Sequence, residues 1–356
     1  MKMRTIVSTL ALIVVAHGAH LRAQEPCAAH SEWEVAGTLR EMPAQTAGAR
    51  DWKIPAKELS AITAQARGLV ELLSRLDFVA HPKGMQVGHY RAIGTPTPGT
   101  STLEKQPYPR HVEAMFFPFV CVDGTVKRRW TDADVGLSID VNTLFSVLDN
   151  TQMTLNGKPV YELHLDLGEY RGHRLFMPPT SQPRDPSGFD RSVLVARPGR
   201  LPFAYVTRQQ LLDYWAAEMD RASGAQPGTA NAPFVARRKR LDALRARYTA
   251  GQLREPAVIP ARSSTFWGAL DAEGWDFVSP TVDPSADCAP RCRFGQYLVT
   301  LDADYFDPTM PASSPQFFVV TIGWMGTPDD SPTKKRIRDE SLASFDFDAF
   351  AAMMRK

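Results

Sequence analysis

The chain has 356 residues, 44% of them apolar and 22% charged, enough for one large or two medium globular domains with a buried core. Its formal charge of +2 becomes −1 once residues 1–23 are set aside, because Lys2, Arg4 and Arg22 leave with no acid and 41 basic residues become 38 against 39 acidic ones. That balance excludes a bulk electrostatic attraction to nucleic acid.

The opening "MKMRTIVSTLALIVVAHGAHLRA" sets Lys2 and Arg4 before an apolar run from Ile6 to Ala16. The run is too short for a permanent membrane anchor and reads as a secretory signal peptide spanning 1–23. Cleavage is expected after Ala23, with Gly18 as the alternative. No later segment is apolar enough to span a membrane, so the expected location is periplasmic or secreted. Cys27, Cys121, Cys288 and Cys292 are an even set, which in an exported chain favours disulfides. Cys288 and Cys292, in "CAPRC", are expected to close a small loop, leaving Cys27–Cys121 as the long bridge.

Residues 24–225 read as an α+β domain. "PAKELSAITAQARGLVELLSRLD" carries Leu59, Ile62, Ala66, Leu69, Leu73 and Leu76 on one helical stripe facing a core. "GMQVGHYRAIG" reads as a strand. "HVEAMFFPFVCV" and "TVKRRWT" read as a hairpin around Asp123-Gly124, a dipeptide suited to a tight turn. "VGLSIDVNTLF" alternates Leu137, Ile139 and Val141 with Ser138, Asp140 and Asn142. "VYELHLDLGEY" alternates Tyr161, Leu163, Leu165 and Leu167 with Glu162, His164 and Asp166. Each pattern predicts a strand with one buried and one wet face, and together they favour an antiparallel, twisted sheet.

A helix is expected from Thr207. A linker with a basic helix occupies 226–262, the helix running from about Ala232 to Ala250. Residues 263–356 hold the strands "FGQYLVTLD" and "FFVVTIGWM", with the proline-rich "YFDPTMPASSPQ" between them, and a closing helix, "FDFDAFAAMMR". These strands either complete the first sheet or form a second lobe.

In "HLDLGEYRGH", His164 and Asp166 share a predicted strand face with Glu162, and Glu169 and His173 follow. Such groups could converge on a metal, or act as acid and base, although the zinc pattern His-Glu-x-x-His is absent. The plainer reading is the solvated face of a half-buried strand. Asp302, Asp304 and Asp307 lack the glycine and terminal glutamate of a calcium loop, so a rigid connection is expected there. "RRKRLDALRAR" puts arginines around an inner stripe of Phe234, Leu241, Leu244 and Tyr248. It is read as a solvated helix face, with contact to an anionic partner as the alternative. No nucleophile elbow, phosphate loop or dinucleotide fingerprint is present, and Ser331-Pro-Thr-Lys334 is expected in a polar loop and lacks its companion motif. No cofactor or metal is therefore expected.

"PFAYVTRQQLLDYW" (202–215) is the most specified stretch. Thr207 and Gln210 have the spacing of a capping box, and Val206 and Leu211 that of a hydrophobic staple. Arg208 is not explained by helix physics, since a cation in the first turn opposes the dipole. It needs either a carboxylate partner or an anionic ligand near the helix start. "LPFAYVTRQQLLDYW" and "YFDPTMPASSPQFFVV" resemble segments of an uncharacterised family of exported bacterial proteins, with a Pro-x-x-Val-Thr-Arg helix start and a Tyr-Phe-x-Pro…Pro-Gln segment. The resemblance implies kinship and export and assigns no activity. The function expected is ligand or partner binding outside the cytoplasm, with Arg208, Glu162, His164 and Asp166 as the candidate binding residues. The alternative is a hydrolase of envelope or extracellular material using the Glu162/His164/Asp166 face.

Overall fold

The apolar stripe of the first helix becomes α1 (Ala56–Leu73), which buries Ile62, Ala66, Leu69 and Leu73. In this computed structural model the described residues are 31–46, 49–50, 53–93, 107–128, 135–178, 188–225, 232–260, 270–271, 295–325, 332–341 and 343–354. A one-turn helix, α2 (Asp77–Ala80), follows α1. α1 packs on β2 (Met85–Ile93) and β3 (Arg110–Pro118), which form an antiparallel pair; β1 (Leu39–Glu41) adds to β2 in parallel.

β3 leaves the pattern at Pro118 and Phe119. The expected long hairpin is therefore divided: β4 (Val120–Val122) and β5 (Thr125–Lys127) pair only with each other. Their turn is the one the sequence indicates, with Asp123 and Gly124 both at positive φ.

β6 (Val135–Val141) pairs with β3. β7 (Leu148–Leu155) and β8 (Lys158–Leu163) form a hairpin, as do β9 (Leu165–Tyr170) and β10 (His173–Met177). β11 (Gly188–Val195) and β12 (Phe203–Tyr205) precede the helices α3 (Arg208–Ala225), α4 (Ala232–Arg247) and α5 (Ala250–Arg254). β13 (Val258–Pro260), β14 (Gly295–Leu301) and β15 (Phe318–Met325) follow, then α6 (Pro332–Ser341) and α7 (Phe347–Met353). Lys334 thus lies on a helix and not in a loop. Among the described residues no helix is long and apolar enough to cross a membrane.

The main sheet runs β1-β2-β3-β6-β15-β11-β10-β9, and the second runs β12-β14-β8-β7 with β13 also on β14. The C-terminal strands are central to both: β15 lies between β6 and β11, and β14 between β12 and β8. Together the two sheets and the helices make an α+β fold in four layers. α1, α6 and α7 cover one face of the main sheet, where the Phe318 and Phe350 rings lie 5.2 Å apart. On its other face Leu194, Val319 and Phe176 join Tyr161, Leu163, Val299 and Leu301 of the second sheet in one core. The second sheet's outer face carries Val160 and Leu298 against Leu211, Leu212 and Trp215 of α3 and Leu241 and Leu244 of α4.

This layering corrects the expectation of a wet sheet face. Ser138, Asp140 and Ser192 are buried, because the second sheet and its leading turn lie over them. Ser192 Oγ reaches Thr321 Oγ1 at 2.8 Å and donates to the Ser146 carbonyl at 3.1 Å.

The proline-rich connection is pinned from inside. Tyr305 is fully buried and its hydroxyl donates to the Gln316 carbonyl at 2.9 Å. Gln316 Oε1 accepts from the Asp307 backbone at 2.7 Å, and the Gln316 backbone donates to Asn142 Oδ1 at 2.8 Å. Asp302 and Asp307 cap local turns through Asp304 N and Thr309 N. These aspartates are turn residues of a rigid connection.

At the start of α3 the Thr207 N–H donates to Gln210 Oε1 at 2.8 Å, and the Gln210 N–H donates to Thr207 Oγ1 at 3.2 Å. Val206 and Leu211 are buried in one cluster beside this reciprocal cap. Thr207→Ala removes one acceptor and should cost about 1 kcal/mol; a chemical denaturation midpoint equal to wild type would contradict that role.

Candidate functional site

A polar meeting point on the second sheet is built by the β7–β8 hairpin. Its turn, Asn156-Gly157, has both residues at positive φ and pairs Leu155 with Lys158. A bulge between Asn150 and Thr154 then shifts the register by two residues, so that Asp149, not Thr151, stands opposite Glu162. Thr151 closes the bulge by donating to the Val160 carbonyl and accepting from Met153 N.

Tyr161 and Leu163 turn toward the main core, and Val160 belongs to the helix-side core. The two-residue alternation therefore sets Glu162 on the helix side. The strand ends at Leu163. His164 lies between β8 and β9, its backbone N–H bonded to the Val147 carbonyl at 2.9 Å. Its side chain is buried and returns to Asp149, with Nε2 3.5 Å from Oδ2. Gln296 of β14 is 1% exposed and donates through Nε2 to the Leu163 carbonyl at 3.3 Å. His164 Nδ1 and Gln296 Oε1 are buried and have no hydrogen-bond partner among the described residues.

The two carboxyl groups are driven apart. Burial pushes Glu162 up to about 7, and the neighbouring Asp149 charge adds to this. Burial acts upward on Asp149 as well, but the hydrogen bond and charge of His164, with help from Gln296, hold it below the usual carboxylate range.

Glu162 and His164 thus come together, joined by Asp149 and Gln296. Asp166 does not join them, because the chain has changed sheets by then. Asp166 is ion-paired with Arg174 of β10 and accepts from Gly168 N at 2.8 Å. Glu169 and His173 lie on the β9–β10 hairpin, the His173 ring 5.5 Å from Phe347.

Arg208 is 3% exposed and ties α3 to α5. Its guanidinium pairs with Glu255 at 2.9 Å, donates to the Gln252 carbonyl at 2.8 Å and lies over the Tyr248 ring. Thr249 and Gln252 form a second capping box at the start of α5, signalled in the sequence by Thr-x-x-Gln but not anticipated above. The arginines of α4 are likewise engaged: Arg237 with Asp271, Arg238 with Asp220 and Arg245 with Asp213. Cys121 lies on β4; Cys27, Cys288 and Cys292, and with them the expected pairings, lie outside the described residues.

A second polar cluster sits on the main sheet, where β3 and β6 place His111 opposite Asp140. His111 Nδ1 is 2.8 Å from Asp140 Oδ1, Nε2 is 3.4 Å from Glu113 Oε2, and Ser146 donates to Asp140 Oδ2. The space a Cβ would take at Gly136 is filled by the Glu113 carboxylate. Burial disfavours a charged imidazole, but Asp140 and Glu113 outweigh it and raise His111 to about 10. His111 is therefore a fixed imidazolium near neutrality. Among the described residues no group of His, Cys, Asp and Glu has the arrangement of a metal site.

Comparison with protein-family models, with curated proteins and with solved structures finds no match. The geometry alone carries the functional argument.

Two measurements follow from these shifts. Unfolded Glu162 loses its proton in the ordinary carboxylate range and folded Glu162 near pH 7. The stabilisation from its protonated form is therefore complete in acid and lost as the pH rises through 7. Glu162→Gln should melt higher than wild type at pH 8, by roughly 1–3 kcal/mol at ~1.4 kcal/mol per pH unit. At pH 4 the two should melt together. For His111 the sign is the same: the ion-pair stabilisation is complete below the ordinary imidazole range, where the unfolded residue is also protonated, and is lost progressively as the pH rises toward about 10. In an NMR titration the His111 ring signals should stay in the imidazolium position from pH 5 to pH 8.5.

Proposed function

We propose that the chain is an exported bacterial protein, with residues 1–23 removed as a signal peptide, and that it binds a small ligand at the Asp149–Glu162–His164–Gln296 corner. The charged and apolar leader and the even cysteine count support export, as does the absence of a free thiol at Cys121. One observation carries the binding reading: two buried polar atoms of one corner, His164 Nδ1 and Gln296 Oε1, have no partner among the described residues. An unsatisfied buried polar group costs about 1–3 kcal/mol. Two such groups within one corner support a bound polar group that completes them.

Gln296→Leu tests this, because it removes the orphan acceptor at nearly constant volume. The variant also loses the Gln296 bonds to the Leu163 carbonyl and to Asp149, so it should melt no higher than wild type, and it should lose thermal shifts that wild type shows with a panel of small polar metabolites. A folded variant that keeps those shifts ends the reading.

Hydrolysis is the second reading, favoured by the opposite displacement of Glu162 and Asp149. Neighbouring carboxyl groups driven apart in this way are suited to act as acid and base. Turnover of chromogenic glycosides or esters, declining above pH 7 and abolished in Glu162→Gln, would decide for it. Asp166 and Arg208, held in pairs elsewhere, have no part in either reading.

A further inference from the structure

The corner holds more acceptors than donors. Asp149 and Glu162 stand directly opposite on neighbouring strands, an arrangement that destabilises a sheet when both are charged. Among the described residues nothing donates to the Glu162 carboxyl; what acts on it is burial and the Asp149 charge. Gln296 presents a free carbonyl oxygen in the same place. The donors nearest the carboxylates are already engaged: His164 Nε2 faces Asp149, and Gln296 Nε2 serves the Leu163 carbonyl and Asp149. Asp149 remains half-exposed, so the corner opens to solvent on its side.

A ligand that completes this set must bring several N–H donors and positive charge. A bare metal ion fits poorly, because among the described residues these side chains do not form a metal-holding group. Acceptors spread over three strands suit a cation whose donors are also spread out. A planar guanidinium presents five N–H donors in a rigid fork that engages carboxylates two bonds at a time.

We propose that the corner is a guanidinium site, in which Glu162 and Asp149 supply the charge and Gln296 Oε1 the neutral acceptor. The proposal rests on the binding reading above and adds the class of ligand. The guanidinium can belong to a free small molecule or to an arginine side chain of a peptide, and the chemistry of the corner is the same for both.

Calorimetric titration of the purified protein with arginine, with its neutral isostere citrulline, and with an arginine tetrapeptide blocked at both ends tests it. Arginine or the tetrapeptide should bind at least tenfold more tightly than citrulline. Glu162→Gln should weaken that binding at least tenfold while melting no lower than wild type, which separates lost recognition from lost folding. Tighter binding of the tetrapeptide points to a peptide, and tighter binding of free arginine to a small molecule; either preference supports the site. Equal binding of arginine and citrulline, or wild-type affinity in Glu162→Gln, overturns the guanidinium assignment. The binding reading survives that outcome if another ligand of the metabolite panel depends on Gln296, and falls with it if none does.

Discussion

A single residue, His164, carries the chain from one sheet to the other. Leu163 closes β8 in the second sheet and Leu165 opens β9 at the edge of the main sheet. The backbone at that step is held by the His164 N–H on the Val147 carbonyl, just ahead of β7. The corner therefore fixes how the two sheets meet. It also decides the neighbourhood of every polar side chain around it. Residues before the step look toward the helices or the shared core, and those after it belong to the main sheet. The candidate site arises where the regular ladder stops, and a strand end is where side chains of different strands can gather.

Covering the main sheet on both faces has its own electrostatic consequence. Polar residues that an open sheet would leave in water are brought inside, and those at its centre are answered by one another. Ser192 is held by Thr321 and Ser146, and Asp140 by Ser146 and His111. A charged imidazole is retained at His111 because Asp140 would otherwise be a buried, unpaired anion. The contrast with the β7–β8 corner is physical. One cluster closes on itself, and the other leaves two buried polar atoms open.

Features that depend on neighbouring residues were legible in the sequence. The stripe of α1, the Asp123-Gly124 turn and the Thr207–Gln210 cap each follow from local spacing. The sheet change at His164 was not legible. Leu163 and Leu165 keep the same alternation, and a period of two does not say which sheet a strand joins. Asp149 was missed for a related reason. The Asn156-Gly157 turn by itself sets Thr151 opposite Glu162, and only the bulge replaces it with Asp149. The meeting of His111 and Asp140 depends on β3 and β6 becoming neighbours, which no local pattern specifies. Arg208 was singled out correctly as a residue needing a partner, yet Glu255 lies 47 positions away in the chain and is brought near by α5.

The position of β15 bears on the order in which the molecule can be made. The main sheet consists of two halves, β1-β2-β3-β6 and β11-β10-β9, with β15 as the one strand between them. A ribosome delivers both halves long before residues 318–325 emerge, and until then each presents an unpaired edge to the other. Closure must wait for the last tenth of the chain, and contacts of such long range form slowly. Nascent protein thus remains open for most of its synthesis. A polypeptide threaded through a membrane channel in unfolded form has to remain open for that same interval.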